Sequence, residues 1–99
     1  MKLGEAQETF AVMYAKIILW GHEQGYKMRL GDVFAHDGHK QNSNHYLKLA
    51  GDIFIYKPGA QEQDEVAHMR MHDAWDALGG APRIMNDLNH YSLKWNGSW

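Results

Sequence analysis

The residues best suited to chemistry lie in two short stretches of the chain. Residues 43–52 read Ser-Asn-His-Tyr-Leu-Lys-Leu-Ala-Gly-Asp and place His45 seven positions before Asp52. Near the C-terminal end, Asp87-Leu-Asn-His90-Tyr-Ser supplies a second carboxylate and a second imidazole. Two histidines and one carboxylate are a common ligand set of catalytic zinc, and a spare carboxylate can serve as a base. The two stretches therefore predict a small zinc hydrolase.

Composition limits the kinds of protein and of metal site that the chain can form. Its 99 residues, 44% of them apolar, predict a single folded domain spanning residues 1–99. The net charge of -2 gives no basic footprint for nucleic acid. The chain has no cysteine and seven histidines, so a metal site must be built from imidazole and carboxylate groups.

The sequence contains no candidate membrane segment. No stretch approaches the roughly 18 apolar residues that a transmembrane helix requires. Glu5 and Glu8 lie where a signal peptide would be basic, and Lys16 interrupts the apolar run that follows. We therefore expect the protein to be cytoplasmic on synthesis, without a signal peptide.

Apolar periodicity and turn residues predict two helices and a small sheet. Phe10, Met13, Ile17 and Trp20 follow helical spacing, whereas the run Ile53-Phe54-Ile55 is typical of a central strand. This pattern predicts an α+β domain with two main helices on a small, mostly antiparallel sheet. The predicted elements are a helix at residues 5–24, a strand at 26–34, a loop at 35–44, a strand at 49–56, a helix at 61–78 and a strand pair within 83–99.

These elements can bring the candidate ligands together. His45 lies just before the predicted central strand, Asp52 lies on that strand, and His90 would come from a neighbouring strand. Three protein ligands leave a fourth position on Zn²⁺ for water, whose pKa falls to about 7. Asp87, three residues before His90, is the carboxylate best placed to take a proton and pass it to a leaving amine.

The same motifs resemble those of a known peptidase family. The pattern Ser43-x-His45, six residues, Asp52, followed by Asp87-x-x-His90, is similar to the zinc D-Ala-D-Ala carboxypeptidases and the L-alanyl-D-glutamate endopeptidases of phage lysis. The resemblance covers roughly residues 26 to 95. It also includes the motifs Leu-Gly-Asp at 30–32, Leu-Ala-Gly-Asp-Ile at 49–53, Trp-x-x-Leu-Gly-Gly at 75–80 and Asn-His-Tyr-Ser at 89–92.

The resemblance implies roles for individual residues. His45, Asp52 and His90 would be the zinc ligands, Asp87 the catalytic acid and base, and Ser43 a group that supports the ligands or binds substrate. The implied fold is the one shared with the hedgehog signalling domain. The implied activity is hydrolysis of an amide bond in the peptide stem of peptidoglycan, by a monomer that reaches the cell wall after release.

Two positions depart from the family pattern. Lys48 stands where the family often has glycine. The family usually also has an arginine after the first strand, which binds substrate and steadies the oxyanion, but residues 33–36 read Val-Phe-Ala-His. His36 is the candidate substitute. The lost arginine leaves open an alternative function as a catalytically impaired zinc-binding module, or as a phage structural component of the same fold.

The remaining histidines and tryptophans have simpler interpretations. His68 and His72 are four residues apart on one predicted helix face, but Met69 stands where the His-Glu-x-x-His zinc motif needs glutamate. We therefore expect these two histidines to be surface or helix-packing residues. We expect His22 and His39 to be solvated. The tryptophans at 75, 95 and 99 are expected to be core or edge aromatics.

Overall fold

The computed structural model describes all residues from Met1 to Trp99, and it confirms the α+β class. Two helices and three strands follow one another along the chain, with a single turn of 3₁₀ helix before the central strand. The elements are α1 (Leu3–Glu23), β1 (Lys27–Leu30), the 3₁₀ helix (Asn44–Leu47), β2 (Ala50–Tyr56), α2 (Glu65–Ala77) and β3 (His90–Ser92). Neither helix is long and apolar enough to cross a membrane.

The first helix forms where the apolar spacing predicts it. The backbone N–H of Lys2 donates to the Glu5 carboxylate at 3.0 Å, which satisfies one of the free donors at the helix start. The apolar face packs into the core, with Phe10, Met13 and Ile17 buried as predicted. Gly25, at φ 80°, follows the C-terminal end and reverses the chain into β1.

The sheet is antiparallel, and β2 lies in its centre as predicted. Its strand order is β1-β2-β3, with Lys27 opposite Tyr56 on one side of β2 and Asp52 opposite His90 on the other. Ile53 and Ile55 are buried. Because β2 is paired along both edges, its side-chain positions are fixed more firmly than those of an edge strand.

Gly51 lets α1 approach the central strand closely. A Cβ at this position would lie 2.5 Å from the ring of Tyr14. The Tyr14 hydroxyl donates to the Asp52 carbonyl at 3.3 Å, next to the glycine. A side chain at residue 51 would therefore displace the aromatic ring that ties α1 to β2.

The second helix buries a different face from the one predicted. Asp64 caps its N-terminus by accepting from the Ala67 N–H at 3.0 Å. The apolar residues Val66, Met69, Trp75 and Leu78 predict one buried side for this helix, but Val66 is 65% exposed. The observed buried positions are Ala67, His68, Met71, His72 and Trp75.

Two histidines of α2 belong to the core, as the helix-packing interpretation predicted. The His68 ring nitrogens lie 2.7 Å from the Tyr91 hydroxyl and 3.1 Å from the Gln63 amide oxygen. His72 stacks on the Tyr91 ring at 4.1 Å and lies 2.8 Å from the Leu88 carbonyl. The contacts of both histidines with Tyr91 of β3 therefore determine which face of α2 is buried.

We expect His68 to make the protein less stable in acid. Burial, followed by the neighbouring His72, lowers the pKa of His68 from 6.5 to about 4. The unfolded chain binds this proton near pH 6.5, so unfolding takes up a proton between pH 6.5 and 4. Neutral His68 makes its full contribution to the free energy of unfolding above pH 6.5. This contribution is lost as the pH falls from 6.5 to about 4. It amounts to about 3 kcal/mol, at roughly 1.4 kcal/mol per pKa unit.

Urea unfolding at several pH values, with chelator present, measures this effect. The free energy of unfolding of the His68→Gln variant should fall less steeply below pH 6.5 than that of the wild type. His22→Gln is the matched control, because His22 is exposed as predicted. Equal pH slopes for wild type and His68→Gln would contradict the prediction.

The predicted strand pair in the C-terminal tail is wrong. Only His90–Ser92 forms a strand, and it pairs with β2 rather than with a second tail strand. Trp95 and Ser98 instead form an isolated bridge around a turn, in which Gly97 has φ 80°. The Asn44 amide holds this tail in place by donating to the carbonyls of Leu93 and Ser98.

Candidate metal centre

His45 is positioned by the 3₁₀ helix that precedes β2. The Ser43 hydroxyl accepts from the His45 N–H at 3.3 Å and caps this turn. Lys48 ends the turn in the left-handed conformation, at φ 58°, and sends the chain into β2. Lys48 thus adopts a conformation that glycine adopts without strain.

The register of the sheet brings Asp52 and His90 together. They are direct partners across the antiparallel pair of β2 and β3. Side chains of directly opposed residues lie on the same face of a sheet, with Cβ atoms about 5 Å apart. The predicted placement of Asp52 on the central strand and His90 on its neighbour is therefore what the structure has.

Three donor atoms from His45, Asp52 and His90 converge. His45 Nε2 lies 3.2 Å from Asp52 Oδ1 and 3.3 Å from His90 Nδ1, and His90 Nδ1 lies 3.9 Å from Asp52 Oδ1. Both imidazoles are buried, whereas the Asp52 side chain is 17% exposed. The group is therefore enclosed on the imidazole side and reachable on the carboxylate side.

These separations fit a tetrahedral ion. Ligand bonds of about 2.0 to 2.1 Å place tetrahedral donors roughly 3.3 Å apart, close to the spacing of these three atoms. The ring planes of His45 and His90 are inclined by 64°, which allows their in-plane lone pairs to meet at one point. Imidazole and carboxylate ligands suit Zn²⁺.

His39 is a fourth potential donor at this site. Donor atoms of His39, His45 and Asp52 all lie within 4.8 Å of one another, and these three residues could hold a metal ion. The His39 ring is stacked on His45, with centroids 4.0 Å apart, and its Nε2 lies 3.0 Å from Asp32 Oδ2. The expectation that His39 is merely solvated is wrong.

The electrostatics of the group favour a neutral His90. Burial lowers the pKa of His90, and the neighbouring His45 lowers it further. The carboxylates of Asp87 and Asp52 act in the opposite direction, but burial has the larger effect. A neutral imidazole is the form that binds metal, so burial prepares His90 for that role.

Asp87 lies beside the group without belonging to it. It is exposed on the turn before β3, where its carbonyl accepts from the His90 N–H at 3.1 Å. Its carboxylate makes no hydrogen bond or ion pair. Asp87 lines a cleft of about 240 Å³ together with polar side chains that include Gln63, Asn86 and Asn89. His45, Asp52 and His90 do not line this cleft, so Asp87 faces a different part of the surface from the convergent donors.

The structure places the two predicted substrate-binding residues differently. Ser43 is buried beneath the site and touches His45 through the backbone N–H. His36 is exposed, with its ring edge-on to Phe34 at 4.7 Å, and no hydrogen bond, ion pair or ring contact joins it to the convergent donors. Lys40 is the one cationic side chain among residues 31–43, and its charge contributes to lowering the pKa of His90.

Comparisons with known proteins leave the site to be interpreted from its own geometry. No family model, no curated protein and no solved structure matches this chain.

Proposed function

We propose that the protein is a zinc-dependent peptidase that hydrolyses an amide bond in the peptide stem of bacterial peptidoglycan. The observation that carries this proposal is the convergence of His45 Nε2, Asp52 Oδ1 and His90 Nδ1 within 3.9 Å. The same three residues occupy the ligand positions of the peptidase motif that the sequence resembles. Sequence spacing alone does not bring residues 45 and 90 together, so their convergence adds to what the motif implies.

The donor set favours zinc acting as a catalyst. Two imidazoles and one carboxylate are the ligands of several hydrolytic zinc sites, in which one coordination position stays open. When bound, zinc supplies a water nucleophile at neutral pH and polarises the scissile carbonyl. The exposed edge of Asp52 marks the side from which substrate and water would approach.

Asp87 is the proposed acid and base. Its carboxylate is exposed and unpaired, so it can accept a proton from the attacking water and deliver it to the leaving amine. Its carbonyl accepts from the His90 N–H at 3.1 Å, so its backbone lies beside a proposed ligand.

Lys40 is the residue proposed to bind a carboxylate of the substrate. Peptide stems carry carboxylates, and related peptidases bind substrate through an arginine that residues 33–36 lack. Lys40 lies in the same loop and acts on His90 through its charge. A lysine meets a carboxylate as a point charge rather than through a planar fork, so we expect looser substrate selection than an arginine would give.

A metal-binding module without turnover is the second candidate. The observation that favours it is His39, whose donor atom lies within 4.8 Å of His45 and Asp52 donors. A fourth protein ligand would close the coordination sphere, and closed four-ligand zinc sites are structural. This candidate keeps the metal and loses the peptidase activity.

Incubation of the purified protein with isolated peptidoglycan sacculi tests the proposal. Zinc-loaded protein should release new amino groups and clear the suspension, chelator-treated protein should not, and added Zn²⁺ should restore the reaction. Zinc bound at one ion per chain without any new amino group would favour the module. No zinc binding at all would refute both candidates.

A further inference from the structure

His39 is anchored at its backbone and at its ring. Its N–H donates to the Tyr46 hydroxyl at 2.9 Å, and the same hydroxyl donates back to the His39 carbonyl at 2.7 Å. Its ring Nε2 lies 3.0 Å from Asp32 Oδ2. The residue is thus fixed to the end of the 3₁₀ helix and to the loop that follows β1.

Asp32 is itself tied to the strand that carries Asp52. The Asp52 N–H donates to the Asp32 carbonyl at 2.8 Å, and the Gly31 N–H donates to the Asp52 carbonyl at 2.9 Å. These bonds extend the pairing of β1 and β2 by two residues. The backbone of Asp32, whose side chain contacts the His39 ring, is therefore hydrogen-bonded to β2.

His45 lacks the usual support of a metal-binding histidine. Such a histidine normally donates its outer ring N–H to a carboxylate, a carbonyl or a water molecule, which fixes the ring orientation. His45 Nδ1 is buried and has no partner in the protein. The Ser43 hydroxyl contacts the His45 backbone and not its ring. No hydrogen bond from the protein therefore holds the Nδ1 side of this imidazole.

The His39 ring provides that support by stacking. The two rings lie 4.0 Å apart between centroids and are inclined by only 16°. Nearly parallel planes at this separation cannot both contain one ion, whereas a ligating nitrogen holds its lone pair in the plane of its ring. In this arrangement His39 supports His45, and it could become a ligand only if its ring turned out of the stack.

We infer that His39 is a positioning residue, whose clamped ring holds the His45 imidazole by stacking so that Nε2 faces Asp52 and His90. The inference rests on the metal centre of the proposed function. His39 acts through the flat shape of its ring, and Asp32 and Tyr46 hold the residue in place. The ring atoms of His39 need not touch the metal or the substrate.

Cobalt(II) titration, followed by visible absorption, tests the inference on the whole protein. His39→Phe keeps a flat ring and removes both nitrogens, and the Tyr46 clamp on the backbone remains. We expect this variant to bind Co²⁺ about as tightly as the wild type, with the same absorption bands. His39→Ala removes the stack and should weaken Co²⁺ binding roughly 10- to 100-fold, the usual effect of losing support around a ligand.

Two results would overturn the inference. If His39→Ala binds Co²⁺ like the wild type, the stack has no role. If His39→Phe also loses affinity and its bands change intensity and position, His39 is a ligand. His22→Ala is the control, because His22 is an exposed histidine outside the site, and it should leave binding unchanged.

A further variant and the wild type complete the test. Tyr46→Phe keeps the ring of residue 46 and loses the hydroxyl that binds the His39 backbone. We expect this variant to lose less Co²⁺ affinity than His39→Ala. It tests the inference even if His39→Ala does not fold. Unchanged binding in Tyr46→Phe would count against the clamp. A wild type that binds no Co²⁺ would overturn the metal centre as well, whereas failure of the inference alone leaves wild-type binding intact.

Discussion

Replacing His45 with alanine should abolish zinc binding and peptidase activity together. His45 Nε2 is the donor closest to both other donors, at 3.2 Å from Asp52 Oδ1 and 3.3 Å from His90 Nδ1. The side chain is buried, so water cannot easily take its place. A site that retains one imidazole and one carboxylate falls below the three protein ligands that catalytic zinc requires.

Metal analysis after dialysis against buffered zinc measures this effect. Wild type should retain one Zn²⁺ per chain and His45→Ala close to none, with no release of amino groups from sacculi. His22→Ala is the control for loss of a histidine, since His22 is exposed. Asp52→Asn is a second test that preserves side-chain shape and removes the charge. Full zinc occupancy in both His45→Ala and Asp52→Asn would refute the proposed ligand set.

Replacing Asp87 with asparagine should abolish turnover and leave the metal in place. The change keeps the size of the side chain and removes its capacity to carry a proton. General acid–base catalysis by a positioned side chain contributes roughly 10²- to 10⁴-fold, so kcat/KM should fall by about that factor. Zinc content should stay at the wild-type level, because Asp87 lies outside the convergent donors.

Asp37→Asn is the matched control for this variant. Asp37 is an exposed carboxylate of the loop after β1, and its loss makes the same change in net charge. Its activity should equal that of the wild type. An Asp87→Asn protein with unimpaired release of amino groups would remove Asp87 from the mechanism, and one that loses zinc would make Asp87 a ligand.

The general course of the chain could be predicted from its sequence because the relevant signals are local. Helical spacing of apolar residues marked α1, and the run Ile53-Phe54-Ile55 marked β2 as the central strand. The buried face of α2 could not be predicted in the same way. Histidine is ambiguous in a pattern of apolar and polar residues, and His68 and His72 are buried because Tyr91, 19 or more residues away, contacts them.

The candidate site was predictable in part for a similar reason. Asp52 and His90 could be placed on neighbouring strands, and the register that opposes them follows from the pairing of β2 with β3. No sequence pattern indicated that His39 belongs to the site, because it lies in a loop of polar and turn residues without apolar periodicity. Its stacking on His45 depends on the path of that loop, which is fixed by Asp32 and Tyr46.

By itself, the sequence determined the α+β class, the central strand and the types of side chain, imidazole and carboxylate, from which a metal site could be built. Those properties depend on side-chain type and short-range spacing. Only the tertiary structure decided which donors meet, which face of α2 is buried and where His39 lies. These features depend on contacts between residues far apart in the chain, because strand register and loop path set the separation of atoms to within a bond length.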